Sequence, residues 1–303
     1  MRILFAGTPG VAASVLKDLA KHHEIALVLT RPDAQVGRKQ ITTPSDVART
    51  AVELGIPVVK TNRIGPEDLA MIRAANVEKA VVVALGSMIP KAALELFPWW
   101  NLHFSVLPAW RGATPLQHSL IHGTGQGVSL FEIETSLDTG PLVETIELTH
   151  PEDKSGEEIM QDLARLGTEM ILRNLEKKPA LAAQVGVVSY APKISRAEAK
   201  LDFTEPAPIL QRRVFALNPE PMAWCKAGER DVRILRAKAF DSQDWSVTSH
   251  GQLGPGEVKV SQGRVLVGCG EGSLLELLEV QPAGGKPMLA TDWQRGFGGS
   301  KLE

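Results

Sequence analysis

Hydrophobic and polar residues follow two different rhythms along the first half of the chain. Short runs of aliphatic residues recur between longer segments in which apolar residues return every three or four positions. The first rhythm predicts strands and the second predicts helices. We predict strands over Arg2–Ala6, Glu24–Thr30, Ile56–Val59, Lys79–Leu85, Trp100–Phe104 and Val128–Glu134. We predict helices over Val11–Lys21, from an N-cap at Ser45 to Leu54, over Glu67–Ala75 and from Pro90 onward.

Strands that alternate with helices predict βαβ units and a Rossmann-like, doubly wound, mostly parallel α/β sheet. The run Lys79–Leu85 is nearly continuous in apolar residues, as expected for a central strand that is covered on both faces. In such sheets, ligands bind beyond the carboxyl ends of the strands. We therefore expect ligand-binding and catalytic residues in the segments that follow Thr30, Leu85 and His103.

The second half of the chain has a different pattern. Gly156–Glu176 predicts a long helix, and the Pro- and Ala-rich segment after it shows no strong periodicity. From Leu201, short strand patterns alternate with Gly and Pro, over Val232–Ala239, Gly256–Val260, Arg264–Gly268 and Leu274–Val280. This pattern predicts a small, OB-like β-barrel. We expect a catalytic domain over 1–180, a linker over 181–203 and a C-terminal β-barrel domain over 204–303.

Composition narrows the classes of protein that fit. The 303 residues suit two domains, and the formal net charge of −2 argues against nucleic-acid binding through bulk charge alone. Cys225 and Cys269 are far apart and belong to no metal-binding pattern, so we expect two reduced, buried thiols and no metal. No apolar run approaches the roughly 20 residues that span a bilayer, and no leader pattern opens the chain. We expect a cytoplasmic protein that does not associate with membranes.

Three side chains at predicted strand ends could carry out acyl transfer to an amine. Asn101 and His103 are two residues apart on one strand and therefore share a face. Asp138 stands in a Gly-containing turn after another strand. An imidazole moves protons near neutral pH, a carboxylate can orient it or raise its pKa, and an amide can donate to an oxyanion.

Each of these residues also has an ordinary structural explanation. A histidine in an apolar strand is more often a buried core residue than a catalytic one, and an Asp-Thr-Gly turn is more often structural. The spacing of the three residues does not by itself decide between these alternatives.

Two long motifs favour the catalytic explanation, because they resemble those of a known enzyme family. The segment Asn101–Pro115 (NLHFSVLPAWRGATP) resembles the folate-dependent formyltransferase motif, in which Asn-x-His precedes a Ser-Leu-Leu-Pro-like loop and Arg-Gly. The segment Gly127–Gly140 (GVSLFEIETSLDTG) resembles the strand that ends in the essential Asp of the same family. The chain is therefore identified as a member of that family. Further segments over nearly the whole chain resemble the members that act on methionine carried by initiator tRNA.

The resemblance implies a role for particular residues. Asn101 and His103 would stabilise and protonate a tetrahedral intermediate, and Asp138 would act on His103. The folate would be bound by Leu85 and Gly86 and by the loop residues Ser105, Val106, Leu107 and Pro108. The implied donor is 10-formyltetrahydrofolate, used as a cosubstrate, so that no tightly bound cofactor and no metal are expected. The implied acceptor is initiator methionyl-tRNA, and we expect a monomer.

The resemblance also implies that the loop after the second strand contacts the tRNA, through Arg38 and Lys39. This loop carries fewer basic residues than is usual in the family. The alternative is that both side chains are solvated surface charges.

Two other functions fit parts of the pattern. A formyltransferase that acts on a nucleotide-linked amino sugar would share Asn101, His103 and Asp138, but the C-terminal segments favour the tRNA substrate. A dinucleotide-binding oxidoreductase is disfavoured, because Gly7–Gly10 does not match the glycine pattern GxGxxG. No acid ends the second strand either, where a ribose would need one.

Overall fold

A computed structural model describes residues 1–36, 40–149, 154–240 and 253–303. The chain forms two compact units. The first unit comprises Met1–Pro115, Gly125–Thr149 and Ile159–Pro192, and the second comprises Leu116–Thr124, His150–Glu158 and Lys193–Glu303. The second unit thus takes two short segments that precede residue 159.

The helices and strands follow one another along the chain as follows. The strands before residue 193 are β1 (Arg2–Gly7), β2 (Glu24–Thr30), β3 (Ala34–Val36), β4 (Ile41–Thr43), β5 (Val58–Lys60), β6 (Lys79–Val83), β7 (Trp99–His103), β8 (Arg111–Gly112), β9 (Gly127–Glu132), β10 (Leu142–Glu147) and β11 (Tyr190–Ala191). The later strands are β12 (Trp224–Ala227), β13 (Arg230–Phe240), β14 (Val258–Ser261), β15 (Arg264–Gly268), β16 (Leu274–Pro282) and β17 (Met288–Leu289). The helices are α1 (Gly10–Leu19), α2 (Asp46–Glu53), α3 (Pro66–Ala74), α4 (Lys91–Leu94), α5 (Pro115–His122), α6 (Gly156–Leu175), α7 (Ala207–Leu217) and α8 (Ala290–Phe297).

The first unit is built on a sheet of seven strands in the order β10-β9-β7-β6-β1-β2-β5. The five strands from β7 to β5 run parallel, whereas β9 is antiparallel to β7 and β10 is antiparallel to β9. This mixed, mainly parallel sheet confirms the predicted Rossmann-like α/β fold. It places the carboxyl ends of β6 and β7 side by side.

Continuous apolar runs make the central strands of this sheet. Ile3, Leu4 and Phe5 in β1 are fully buried, and Val81 and Val83 in β6 are equally inaccessible to solvent. Such strands have both faces covered, as parallel sheets require. The predicted N-cap of α2 is also confirmed: the Ser45 hydroxyl accepts a hydrogen bond from the main-chain NH of Ala48 at 3.0 Å.

The second unit contains an antiparallel half-barrel with the strand order β12-β13-β16-β15-β14, and β17 pairs with β16. Val232, Ile234 and Ala237 of β13 are buried, and the alternation of inward and outward residues is interrupted between Ile234 and Ala237, where the pairing with β16 shifts register. The predicted small β-domain is confirmed in this form. Cys225 and Cys269 are free and buried, and burial raises the pKa of each thiol to about 12.

Several elements were not predicted from the sequence. The Pro- and Ala-rich segment after α6 contains β11, which pairs with β8. Helices α5, α7 and α8 and the edge strand β10 also lie in segments that received no prediction. Among the described residues, no helix combines the length and the apolar composition that a membrane crossing requires.

Candidate active site

A cavity of about 690 Å³ opens in the first unit where β6 and β7 end. Its wall is formed by the segment 84–89 after β6, by the end of β7, by the turn at Gly112 and by the Ser136–Asp138 turn. Asn101, His103 and Asp138 all line this cavity. The three residues are therefore brought together at the sheet edge where ligands of such folds bind.

His103, the last residue of β7, is almost completely buried, with 4% of its surface exposed. Its Nε2 atom lies 2.9 Å from the carbonyl oxygen of Trp110, and its ring meets the edge of Phe131. A carbonyl oxygen can only accept, so Nε2 is the protonated nitrogen that donates to it. In the neutral ring, Nδ1 is consequently the nitrogen that can take up a proton.

The carboxylate of Asp138 influences this nitrogen by its charge. Asp138 Oδ2 lies 3.9 Å from His103 Nδ1, which is beyond direct hydrogen-bonding distance. Burial lowers the pKa of His103 below its ordinary value of 6.5, while the charge of Asp138 and the hydrogen bond to Trp110 oppose this shift. Burial has the larger effect, so His103 is neutral at pH 7 and Nδ1 is free to accept a proton.

A tight turn holds Asp138 in place. Asp138 has a left-handed backbone with φ of 50°, and its Oδ2 atom accepts a hydrogen bond from the main-chain NH of Gly112 at 2.8 Å. Gly140 closes the turn against β9, where a Cβ atom would lie 1.7 Å from the carbonyl oxygen of Glu132. Only glycine fits there, so the Asp-Thr-Gly sequence has a structural reason in addition to the role predicted for Asp138.

Asn101 faces the cavity from the middle of β7. It lies in register with Val82 of β6 and Phe131 of β9, and it is partly exposed to the cavity. Within the described part of the chain, its side-chain amide makes no hydrogen bond. The NH2 group is thus available to donate to a bound oxygen.

Leu85 and Gly86, predicted to bind the folate, both line the cavity. They belong to the segment after β6, where Ala84 and Gly86 adopt positive φ angles of 46° and 80°. The hydroxyl of Thr8 donates to the carbonyl oxygen of Leu85 at 3.0 Å and fixes this turn. The neighbouring Met88 is largely exposed and adds an apolar side chain to the wall.

The other four predicted folate residues, Ser105 to Pro108, do not line the cavity. Ser105, Leu107 and Pro108 are buried, and Val106 is partly buried. The Ser105 hydroxyl donates to the carbonyl oxygen of Ala109 at 2.7 Å, and the main-chain NH of Leu107 donates to Ser129 Oγ at 3.0 Å. The loop thus faces inward and supports the turn that carries Trp110, and its direct contact with the folate stays a prediction.

Gln184 holds the site together and was missed by the sequence analysis. Its amide NH2 donates to the main-chain carbonyl oxygens of Asp138 at 2.9 Å and Gly140 at 2.8 Å. Its carbonyl oxygen accepts a hydrogen bond from the Arg111 guanidinium at 2.6 Å. One side chain thus ties the Asp138 turn to the turn beside His103. No periodic pattern marks Gln184, because its partners lie far away in the sequence.

Arg38 and Lys39, predicted to contact tRNA, lie outside the described residues. The short hairpin strands β3 and β4 are described on either side of them. Across the ranges 1–36, 40–149, 154–240 and 253–303, no group of three or more His, Cys, Asp or Glu side chains is placed to hold a metal ion.

Comparisons with known proteins agree on the family. The profile of the formyl transferase family matches residues 1–175, and that of the formyl transferase C-terminal domain matches residues 193–298. The methionyl-tRNA formyltransferases of Renibacterium salmoninarum and Paenarthrobacter aurescens are 39% and 42% identical to this chain. Each alignment covers 98% of this chain and 97% of the relative.

One solved structure shows the same fold at low sequence identity. HypX from Aquifex aeolicus, in complex with tetrahydrofolic acid, superposes with a TM-score of 0.67 at 15% identity. The match covers 98% of this chain and 47% of HypX, so this chain spans about half of that protein. The two family profiles and the close relatives lead to one conclusion: the chain belongs to the formyl transferase family and, within it, to the methionyl-tRNA formyltransferases.

Proposed function

We propose that this enzyme transfers the formyl group of 10-formyltetrahydrofolate to the amino group of methionine on initiator tRNA. The observation that carries the proposal is the convergence of Asn101, His103 and Asp138 on one cavity. An amide donor, a neutral imidazole and a carboxylate are the groups that acyl transfer to an amine requires.

The reaction forms one bond and breaks another. The methionine nitrogen attacks the formyl carbon, and the carbonyl oxygen becomes an oxyanion to which the Asn101 amide donates. His103 Nδ1 takes the proton that the amine loses and delivers it to N10 of the folate as the carbon–nitrogen bond breaks. The Asp138 carboxylate, 3.9 Å from Nδ1, stabilises the transient imidazolium by its charge.

The folate binds against the apolar wall that follows β6. Leu85 and Gly86 line this wall, and the cavity volume of about 690 Å³ is in the range of small-molecule sites. HypX, which shares the fold, was solved with tetrahydrofolic acid. In this proposal the loop Ser105–Pro108 also contacts the folate, and its hydrogen bonds support the turn whose Trp110 carbonyl accepts from His103. No metal and no tightly bound cofactor take part.

The body of the tRNA is bound outside the cavity in which its methionine reacts. We assign a catalytic domain to 1–180, a linker to 181–203 and a tRNA-binding domain to 204–303, and Arg38 and Lys39 contact the acceptor arm. The enzyme acts as a monomer in the cytoplasm, where initiator tRNA is charged and used. Replacement of Arg38 and Lys39 by Gln should weaken tRNA binding and reduce the slope of log affinity against log salt by about one per lost phosphate contact. An unchanged slope would make both residues ordinary surface charges.

A competition between acceptors tests the proposed function. The purified enzyme is given 10-formyltetrahydrofolate with charged initiator methionyl-tRNA and, separately, with a nucleotide-linked amino sugar. Formylation of the tRNA alone supports the proposal. Formylation of the sugar alone would keep the chemistry of Asn101, His103 and Asp138 but overturn the acceptor, and formylation of neither would overturn both.

A further inference from the structure

Two histidine and two arginine side chains lie close together in the second unit. His118 and His122 are four residues apart on α5, and their rings stack in parallel with centroids 6.1 Å apart and planes 6° apart. Arg212 and Arg213 come from α7. The Arg212 Nε atom donates to the carbonyl oxygen of Ile121 at 3.0 Å, which fixes its guanidinium beside the end of α5. We call His118, His122, Arg212 and Arg213 the basic patch.

The charges of the basic patch are only partly balanced. Glu205 lies 3.8 Å from Arg213, and Glu198 also approaches this side, although its carboxylate is held mainly by Ser195. In the part of the chain that the structure describes, no carboxylate lies within ion-pair distance of Arg212. His122 is exposed, and His118 and Arg212 are half-buried, so all three side chains have surface that solvent can reach.

The neighbouring groups of the basic patch oppose a positive charge on His122. The pKa of His122 is lowered, first by burial and then by the charges of His118, Arg213 and Arg212. A ligand with several negative charges would relieve this repulsion. The net charge of the whole chain is −2, so the patch is a local concentration of positive charge rather than part of a general excess.

We propose that the basic patch is a contact surface for the phosphate backbone of the tRNA substrate, an inference that rests on the function proposed above. An RNA backbone presents a row of phosphates, to which guanidinium and imidazolium groups donate charge-assisted hydrogen bonds. A guanidinium group stays charged over the whole working pH range, whereas an imidazole contributes charge only when it is protonated.

This contact depends on pH in a defined direction. Bound phosphates raise the pKa of His122 from its lowered value, so tRNA binding takes up protons. Affinity for tRNA should therefore increase as the pH falls through the pKa that His122 has in the complex. His118, Arg212 and Arg213 oppose protonation of His122, and Glu198 and Glu205 favour the positive charge of the patch.

The test measures binding of uncharged initiator tRNA at about pH 6 and about pH 7.5 at constant ionic strength. The wild type should bind roughly two- to tenfold more tightly at the lower pH, as expected for one or two exposed charge contacts. A double variant, His118→Gln with His122→Gln, should lose this gain, whereas His22→Gln, exposed in the first unit, should keep it. Retention of the gain in the double variant would overturn the proposal.

A second variant keeps the test decisive if the double variant folds poorly. Arg212→Gln should reduce the slope of log affinity against log salt by about one, whereas Arg73→Gln on α3 should leave it unchanged. If the wild type formylates tRNA and Arg212→Gln keeps the full slope, only the basic patch is refuted. If the wild type binds tRNA through the patch but formylates no acceptor, only the proposed function fails.

Discussion

At the scale of single residues, burial sets the protonation state on which the chemistry depends. His103 is nearly inaccessible to solvent, and burial lowers its pKa more than Asp138 and Trp110 raise it. The ring is therefore a neutral proton acceptor at pH 7. The neighbouring carboxylate stabilises the charged form only after a proton has been taken up, which suits a group that shuttles a proton during the reaction.

The pH dependence of the reaction tests this assignment. The rate constant kcat/KM should fall as the pH falls through the lowered pKa of His103, below its ordinary value of 6.5. Asp138→Asn removes the charge that raises this pKa, so the acidic limb should move to still lower pH while the maximal rate falls. An acidic limb at the same pH in both enzymes would show that His103 does not titrate in this step.

The lowered pKa of His103 also makes the free energy of unfolding depend on pH. The unfolded chain binds a proton at His103 at a higher pH than the folded chain does. The stabilising contribution of this residue is thus fully present above about pH 6.5 and is lost as the pH falls toward the lowered pKa.

Gln184 should influence the rate without touching a substrate. Gln184→Glu keeps an acceptor for Arg111 but removes the NH2 group that binds the carbonyl oxygens of Asp138 and Gly140. We expect kcat to fall roughly tenfold, because Asp138 is released from its turn, with KM for folate little changed. Steady-state kinetics of this variant check the prediction.

Arg111 provides the matched control for Gln184. Arg111→Lys keeps the Gln184 amide and its two carbonyl partners, but a single ammonium group replaces the two guanidinium N–H donors that reach Gln184 Oε1. It should therefore reduce kcat less than Gln184→Glu does. A larger loss in Arg111→Lys would mean that Arg111, rather than the Gln184 amide, positions the site.

At the scale of the structural elements, one glycine couples the sheet to the site. Gly140 lies where the chain leaves the Asp138 turn for β10, and a methyl group there would overlap the carbonyl oxygen of Glu132 in β9. Gly140→Ala should lower the free energy of unfolding by about 1–3 kcal/mol and reduce activity, because the turn must move. Thermal unfolding and formyl transfer measure the two effects.

A helical glycine serves as the control for Gly140. Gly296 lies in α8 of the second unit, and a Cβ atom there would meet no atom within 4 Å. Gly296→Ala should leave activity unchanged and raise stability slightly, through helix propensity. Equal losses of stability in the two variants would refute the packing argument.

The elements that could be predicted from the sequence are those with a strong local pattern. Local sequence alone was enough to predict the aliphatic strands β2 and β6 and the N-cap at Ser45. Strand β11 does not, because its two residues are extended only through pairing with β8, about 79 positions earlier. Helix α5 is short, and its polar face carries the two histidines of the basic patch.

Some residues of the candidate site could likewise be predicted from local sequence patterns, and others could not. Alternation along β7 was enough to place Asn101 and His103 on one face, and the Gly-containing turn after a predicted strand drew attention to Asp138, whose role the resemblance then implied. The inward turn of Ser105–Pro108 could not be predicted, because it depends on the hydroxyl of Ser129 in another strand. The position of Gln184 depends likewise on contacts 44 and 46 residues away.

At the scale of the whole molecule, the cavity and the basic patch lie in different units. The first unit contains every residue that lines the cavity, and the second contains the half-barrel and the basic patch. The net charge of −2 leaves no general attraction for a polyanion. Recognition of tRNA must then come from local groups of cations, whose loss should weaken binding and leave kcat at saturating tRNA intact.

The most direct measurement follows an isotopically labelled formyl group from 10-formyltetrahydrofolate to initiator methionyl-tRNA, with wild-type enzyme and His103→Gln compared at saturating substrates. The account predicts label on the methionine nitrogen with the wild type. It also predicts a rate at least about 100-fold lower with the variant, whose thermal unfolding should remain cooperative. Transfer by the variant at the wild-type rate would contradict the claim that the cavity around Asn101, His103 and Asp138 is where the formyl group moves.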